Sequence, residues 1–327
     1  MITDLPRLLI ISEVPFSRNG VGADRTLVNI FDDYPVEKIM LLTADSYQEP
    51  TSLSLEKYVY FPKQYFPFLK NRIGHYINPL ISSINLQILH WLPITHLKIL
   101  EKFLPEIILI CPLSSWSLLM GYKVVQHFKC PYLIYLMDDW LAKINIRWIS
   151  NNTQDIGKQL LRNATGWLMI SEFLELELKN RYHVKPLYSL IVHNPVNVAN
   201  KINEFNVVRE KHKGAFKIVY AGSINPLHYD ALVAVAEAIY HLRCQNYHIE
   251  LILYTNQFFW NYYQEVWEKF QVCYGSFIPY ENLNSYLTKA DILLVASSFN
   301  PKYAHAIRSS LFTKVTDYMA AGKLILS

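Results

Sequence analysis

The sequence has few charged side chains and contains no long uninterrupted apolar run. Charged residues make up only 18% of its 327 residues, whereas apolar residues make up 51%. A membrane-spanning helix needs about 20 consecutive apolar residues, and no run of even about 18 is present. The opening residues Met1-Ile2-Thr3-Asp4 also lack the basic segment and apolar stretch of a secretory signal. We therefore expect a protein without a spanning helix, located in the cytoplasm or at the inner face of the cell membrane.

Cysteine is scarce, and the positive and negative charges nearly balance. The four cysteines lie far apart and lack metal-binding spacing, which predicts reduced thiols in a cytosolic protein. Lys and Arg exceed Asp and Glu by 31 − 27 = 4, an excess too small to indicate a nucleic-acid partner. The composition therefore argues against a zinc site and against nucleic acid as a ligand.

The first half of the chain alternates apolar strands with helical patterns. A buried strand at residues 6–12 is followed by a loop with Gly20 and Gly22 and then by a helix from Ala23, as at the start of a doubly wound α/β domain. Further strands are predicted at residues 38–43, 106–111, 132–137, 167–171 and 188–193. This alternation predicts an α/β fold with a mostly parallel sheet, whose ligands lie at the carboxyl ends of the strands.

The glycine loop of this first unit has two interpretations. Gly20 and Gly22 leave room for a ligand at the start of the helix, or they merely form a turn. A third glycine of the dinucleotide fingerprint would fall at Arg25, so a plain NAD site is excluded.

The second half repeats the architecture of the first. Residues 199–214 are polar and read as a linker, and a new strand at residues 216–223 ends at Gly222. Two Rossmann-like domains facing a central cleft are therefore predicted. Their expected boundaries are residues 1–198 and 215–327, and the second domain is short.

The closing stretch, residues 312–327, begins as a helix, ends at Gly322 and continues as a strand at residues 324–326. Lys314 and Asp317 lie three positions apart near the start of this helix. Helix N-termini favour phosphate, so Lys314 could balance a diphosphate and Asp317 could accept hydrogen bonds from a ribose. The alternative is an amphipathic helix with one ion pair and a glycine cap. The apolar positions that fall on one face are Val315, Tyr318 and Met319.

The string K-x-x-D-Y-M-A-A-G-K-L-I at residues 314–325 resembles the nucleotide-sugar helix of GT-B glycosyltransferases, in particular the retaining, family-four-like class that builds bacterial polysaccharides. In that family an acid of this helix holds the donor ribose, which implies this role for Asp317. A second family acid commonly lies eight positions earlier, where this sequence has Ser309.

The resemblance extends to the strand that ends at Gly222 and Ser223. In the family, backbone amides at this turn lie beside the donor diphosphate, and an Arg and a Lys commonly follow the glycine. Residues 223–230 contain neither, so another cation would have to take that role. The candidates are Lys314, Arg308, Lys302 and Arg18.

Other positions acquire roles only through the resemblance. The loop with Gly20 and Gly22 would lie in the cleft, and Asp138 and Asp139, just past a strand, would lie near the acceptor and the donor sugar. His305 and Arg308 would bind the donor sugar. Alternatively, an aspartate caps the next helix, and His305 is an ordinary loop histidine. The residues expected to be catalytic are Asp138, Asp139 and Lys314.

Residues 57–100 contain five Lys and Arg side chains and eight aromatic ones, but no Asp or Glu. Cations near an anionic membrane gain about 1 kcal/mol each, and aromatic side chains favour the interfacial zone. A membrane-facing or acceptor-facing surface is therefore expected, and a large aromatic core loop with exposed lysines is the alternative. The residues expected to form the surface are Lys63, Phe66, Phe68, Lys70 and Arg72.

Taken together, the resemblance implies a retaining transfer of a sugar from a nucleotide-diphosphate sugar to a polysaccharide or lipid-linked acceptor. It implies no metal ion and no cofactor besides the donor substrate, and Asp138 and Asp139 are adjacent rather than separated as in an Asp-x-Asp metal site. Two alternatives stay open: a nucleotide-sugar epimerase, and a non-catalytic, nucleotide-sugar-binding partner of a transferase complex.

Overall fold

The computed structural model divides the chain into two compact units, Met1–His193 and Asn194–Ser327. The predicted linker, residues 199–214, lies almost entirely outside the described part of the chain. The residues that the structure describes are 5–13, 22–44, 58–60, 65–69, 73–94, 97–139, 150–196 and 214–327.

The first unit is built on a seven-stranded parallel sheet. In chain order its strands are β1 (Leu8–Ser12), β2 (Ile39–Thr43), β3 (Tyr58–Tyr60), β4 (Ile107–Cys111), β5 (Tyr132–Leu136), β6 (Gly166–Met169) and β7 (Tyr188–Ile191). They pair in the order β3-β2-β1-β4-β5-β6-β7. The strand order reverses at β1, so the crevice for a ligand in this unit lies at the carboxyl ends of β1 and β4.

Continuous apolar runs explain why the central strands are buried. The side chains of Leu9, Ile10 and Ile11 are completely buried, as expected for a parallel sheet covered on both faces.

The predicted N-cap at Ser171 is confirmed, since its hydroxyl accepts a hydrogen bond from the Leu174 amide. The helices described in this unit are α1 (Ala23–Phe31), α2 (Gly74–Trp91), α3 (Leu97–Phe103), α4 (Ser115–Phe128), α5 (Ser150–Asn163) and α6 (Glu172–Tyr182).

The second unit contains a five-stranded parallel sheet. Its strands are β8 (Phe216–Ala221), β9 (Ile249–Tyr254), β10 (Cys273–Tyr274), β11 (Ile292–Leu294) and β12 (Leu324–Leu326). They pair in the order β10-β9-β8-β11-β12, so this sheet reverses at β8. Its helices are α7 (Tyr229–Cys244), α8 (Gln257–Tyr262), α9 (Gln264–Lys269), α10 (Tyr280–Leu287), α11 (Ala304–Ser309) and α12 (Thr313–Ala320).

The closing helix and strand follow the prediction closely. α12 is followed by Gly322 with a φ of +63°, the left-handed conformation that a glycine adopts after a helix end. Tyr318 is buried against the sheet, as expected, whereas Met319 is 66% exposed and does not share that face. The predicted α/β class with two mostly parallel sheets is confirmed. No helix within the described part of the chain combines the length and apolar character needed to cross a membrane.

Candidate functional site

Two loops meet at the point where the second sheet reverses, one after β8 and one after β11. A ring nitrogen of His228, Nδ1, lies 2.8 Å from the Ala296 carbonyl oxygen. The Asp230 carboxylate accepts hydrogen bonds from the Ser298 hydroxyl at 2.8 Å and from the Phe299 amide at 3.0 Å. The segment that lacks the family's usual Arg and Lys therefore fastens these two loops together at the carboxyl ends of the strands.

Lys314, in the first turn of α12, reaches the end of β8. Its Nζ donates a hydrogen bond to the Tyr220 hydroxyl at 2.7 Å and lies 4.0 Å from the centre of that ring. The Tyr220 hydroxyl in turn donates to the Ser223 carbonyl oxygen at 2.6 Å. The fold therefore brings together a lysine and a strand end that are 94 positions apart in the sequence.

Gly222 leaves the space that this lysine occupies. A Cβ atom at Gly222 would lie 3.2 Å from Lys314 Nζ, and the φ of +146° is one that side-chain-bearing residues rarely adopt. A glycine at this turn therefore lets an ammonium group approach the backbone at the end of β8, where the sheet offers its ligand crevice.

The ammonium group of Lys314 is half-buried, and no acidic partner for it lies in the part of the chain that the structure describes. Among the described residues no carboxylate forms an ion pair with it, Asp317 included. Burial lowers the pKa of Lys314 from its ordinary 10.5 to about 7. The ion pair of the alternative interpretation is thus not formed. A half-buried lysine with a strongly lowered pKa at a strand end is typical of a functional site rather than of a core.

His228 adds a neutral imidazole beside this lysine. Burial, and secondly the nearby Lys314 charge, lower the pKa of His228 to about 4. At neutral pH the ring is uncharged, so its Nδ1–H donates to the Ala296 carbonyl. The ring also meets Phe312 edge-on at 4.9 Å between centroids. These groups surround Lys314 without neutralising it.

Asp317 lies on the inner side of α12. It is only 2% exposed, and it accepts a hydrogen bond from the Tyr280 hydroxyl at 3.2 Å. The neighbouring Tyr318 hydroxyl accepts one from the Ala221 amide at 2.9 Å, which fixes α12 against the end of β8. Neither Lys314 nor Asp317 therefore projects into bulk solvent.

The other residues predicted to bind the donor are more exposed. His305 and Arg308 lie on the exposed side of the short helix α11, and Ser223 is exposed after β8. Ser309, at the place of the second family acid, is buried and donates its hydroxyl to the His305 carbonyl. In the first unit, Gly22 is the N-cap of α1 with a φ of +62°. Gly20 and Arg18 lie outside the described residues.

The two aspartates after β5 differ in their surroundings. Asp139 is buried, and its two oxygens accept hydrogen bonds from Arg181 at 2.9 and 2.8 Å. This pairing raises the pKa of the Arg181 guanidinium. Asp138 accepts a hydrogen bond from the Asp139 amide and is only half-buried. The Asp139 carboxylate is therefore held in an ion pair with Arg181, and Asp138 is the more accessible of the two. Whether either one caps a following helix falls on residues 140–149, outside the described part.

Of the predicted membrane or acceptor residues, the structure describes only Phe66 and Phe68, and both are exposed. Lys63, Lys70 and Arg72 lie outside the described residues. No three His, Cys, Asp or Glu side chains in the described ranges are arranged to hold a metal ion.

Sequence reasoning missed two side chains at the site in the second unit and a third at the same edge of the second sheet. Tyr220 and His228 contact Lys314 or the loops around it. Thr255, directly after β9, is buried, and its hydroxyl lacks a hydrogen-bond partner within the described part of the chain. Only their position in the sequence could have pointed to these residues. Each lies at or just past the end of a strand that is at or beside the point where the strand order of the sheet reverses.

Comparisons with known proteins bear on the fold. No protein-family model and no curated protein matches the chain. Among solved structures, HepE from Anabaena in complex with UDP and glucose matches with a TM-score of 0.59 at 13% identity, over 98% of this chain and 80% of that one.

Two synthases give similar matches. Sucrose-phosphate synthase from Thermosynechococcus elongatus has a TM-score of 0.58 at 13% identity, over 97% of this chain and 80% of its own. A UDP-forming trehalose-phosphate synthase from Burkholderia xenovorans has a TM-score of 0.56 at 12% identity, over 94% and 82%. Likenesses at such low identity establish the architecture. The chain has the GT-B fold, and its structural neighbours are GT-B glycosyltransferases.

Proposed function

We propose that the chain is a glycosyltransferase whose second unit binds a nucleotide-diphosphate sugar at the carboxyl ends of β8 and β11. The observation that carries the proposal is the half-buried Lys314 beside Gly222, which pairs with no carboxylate among the described residues. A diphosphate arriving there would supply the missing negative charge and favour the protonated form of the lysine. The complexes of HepE with UDP and with UDP-glucose support a nucleotide sugar as the ligand class.

In this proposal Lys314 takes the role of the family's Arg and Lys. The sugar leaves the diphosphate when the bond from its anomeric carbon to oxygen breaks and the electron pair stays on the phosphate. A pre-positioned ammonium and nearby backbone amides stabilise that developing charge, which is commonly the largest contribution to catalysis. Asp317 would accept hydrogen bonds from the ribose of the donor. The other residues that would contact the donor are Gly22, Gly222, Ser223, His305 and Arg308.

The finer features of the reaction are also part of the proposal. We assign retention of configuration, independence of metal ions and a polysaccharide or lipid-linked acceptor, as the resemblance implies. On the acceptor side Asp138 is the accessible acid, and Asp139 positions its neighbour through the ion pair with Arg181. Peripheral contact with an anionic membrane belongs to the same proposal.

A thermal-shift screen followed by a turnover assay tests this function. The full chain is melted with UDP, GDP and dTDP, since a ligand that binds the native state raises the melting temperature. The diphosphate that binds identifies the sugar donors to be assayed for nucleotide release. We expect stabilisation by at least one diphosphate and release of nucleotide from its sugar.

The assay also separates the alternatives. Binding without nucleotide release, with any acceptor, would favour a non-catalytic partner of a transferase complex, which Ser309 in place of an acid motivates. Conversion of the sugar without its release would favour an epimerase. Absence of any stabilisation by all three diphosphates would overturn the proposal.

A further inference from the structure

Helix α2 exposes apolar side chains along one stripe. Tyr76, Leu80, Ile84 and Trp91 recur at helical spacing, and all four are exposed, Tyr76 by 82% and Trp91 by 80%. A surface helix normally turns such a stripe toward the core. The outward side of α2 is therefore apolar, although it is not packed against the protein interior.

The opposite side of α2 uses polar side chains for internal contacts. Asn85 is buried, and its Oδ1 accepts hydrogen bonds from the Tyr65 and Phe66 amides at 2.9 and 2.8 Å. Its Nδ2 donates to the Phe66 carbonyl at 2.9 Å. Asn78, two turns earlier, accepts from the Leu69 amide at 2.8 Å and donates to its carbonyl at 3.0 Å. Two asparagines thus hold residues 65–69 along the helix.

The segment held in this way lies against the side of α2 that faces away from the stripe. Phe66, Phe68 and Leu69 are all exposed although their backbone is fixed to α2. A groove of about 510 Å³ follows the helix itself, lined by residues that include Leu80, Ile84, Ile88 and Trp91. The exposed stripe and the groove together form what we call the α2 surface.

The body of the unit holds α2 in this orientation. Lys123, on α4, donates hydrogen bonds to the carbonyl oxygens of Leu89, His90 and Leu92 at the end of α2. A cation at this position satisfies carbonyls that the helix leaves unpaired. Leu89, on the inner side, is buried. The outward stripe is therefore a fixed feature of the fold.

The charges in this stretch of the sequence indicate what covers the surface. Residues 74–91 contain no Asp, Glu, Lys or Arg, and residues 57–100 contain five basic side chains and no acidic one. Such a segment attracts an anionic lipid surface, and exposed Tyr and Trp side chains favour the headgroup zone. Tyr76 and Trp91 stand about 22 Å apart along the helix axis, at 1.5 Å per residue.

We propose that the α2 surface lies on an anionic bilayer, with α2 parallel to the membrane and its exposed stripe at the level of the headgroups and upper acyl chains. Interfacial helices bind in this way through buried apolar area together with attraction between charges. The proposal deepens the membrane contact of the proposed function. It does not depend on sugar transfer, because vesicle binding and nucleotide binding are measured separately.

Flotation with vesicles tests the proposal. The full chain is mixed with phosphatidylcholine vesicles, with or without about 30% phosphatidylglycerol, at low and high salt. We expect flotation with the anionic vesicles and a decrease as salt rises toward about 0.5 M, because salt screens the attraction. Leu80→Glu should lower binding by roughly tenfold or more, since it places a charge in the stripe.

A matched substitution controls for the added charge. Leu176, on α6 of the same unit, is 58% exposed, close to the 56% of Leu80, and Leu176→Glu should float like the unsubstituted protein. Melting curves of both variants, with and without UDP, establish that they remain folded.

Three results would overturn the inference: no flotation with anionic vesicles, unchanged flotation of Leu80→Glu, or an equal loss in Leu176→Glu. A self-association that Leu80→Glu abolishes, found without vesicle binding, would assign the surface to a second copy of the chain and reject the bilayer.

Discussion

Placing the Lys314 ammonium group in its site lowers the free energy of unfolding, which an apolar side chain at this position would not do. Its pKa falls from 10.5 to about 7 on burial, and each unit corresponds to about 1.4 kcal/mol, so the cost is on the order of 5 kcal/mol at most. Between these two pKa values the unfolded chain binds more protons than the folded one. Stability therefore rises with pH across that window, and the full cost is present below about pH 7.

Replacing this lysine should stabilise the protein while removing its function. We expect Lys314→Met to raise the free energy of unfolding by a few kcal/mol at about pH 6, and the gain to shrink toward about pH 10. Urea denaturation at both pH values measures the two differences. A variant that is less stable than the unsubstituted protein at the lower pH would contradict the account.

The Tyr220 hydroxyl holds this lysine in position. Tyr220→Phe leaves Nζ without its acceptor and the Ser223 carbonyl without its donor, which should cost about 1–2 kcal/mol of stability. Affinity for the diphosphate should fall several-fold, because Lys314 loses its fixed place. Isothermal titration gives the affinity and denaturation the stability.

Tyr318→Phe is the control for this change. Its hydroxyl also bonds at the end of β8, to Ala221, but it does not contact Lys314. We expect a comparable loss of stability with little change in affinity. Equal losses of affinity in both variants would mean that Tyr220 acts through the general integrity of the strand end.

At the scale of elements, the ion pair of Asp139 with Arg181 joins the loop after β5 to α6. The Asp139 side chain is almost fully buried, so Arg181→Met would remove the bidentate cationic partner of a buried charge. We expect a loss of about 3 kcal/mol or more in the free energy of unfolding.

Lys179→Met, on the same helix, provides the comparison. Lys179 pairs with Glu175 one turn away and is more exposed, so its removal should change stability by less than about 1 kcal/mol. Denaturation of both variants measures the difference. Similar values for the two would show that the Asp139 pair is not structurally important.

The sequence predicts an element well when the residues that determine it are close together in the chain. The Ser171 cap and the strand β12 follow from neighbouring residues, and both occur where expected. The partner of Asp139 lies 42 positions away and could not be inferred without the fold. The pattern of α2 was ambiguous for another reason, because apolar residues at helical spacing look the same whether the stripe faces inward or outward.

At the scale of the whole molecule, the two units follow the same rule. Each sheet reverses at its first strand, β1 or β8, and places polar residues just beyond the carboxyl ends of its strands. Alternation of strands and helices was sufficient to predict this architecture. The contacts around Lys314 required the assembled sheet, since they join β8 to a helix almost a hundred residues later.

The central claim is that Lys314 binds the diphosphate of a nucleotide sugar in the second unit. Titration of the full chain with the best-bound nucleoside diphosphate tests it, using Lys314→Met and the control Lys269→Met. Lys269 also lies over an aromatic ring, Phe270, but it is exposed on α9.

A charge-assisted contact contributes about 1.5–3 kcal/mol, so Lys314→Met should bind roughly tenfold to a hundredfold more weakly, whereas Lys269→Met should bind like the unsubstituted chain. Unchanged affinity in Lys314→Met would contradict the claim.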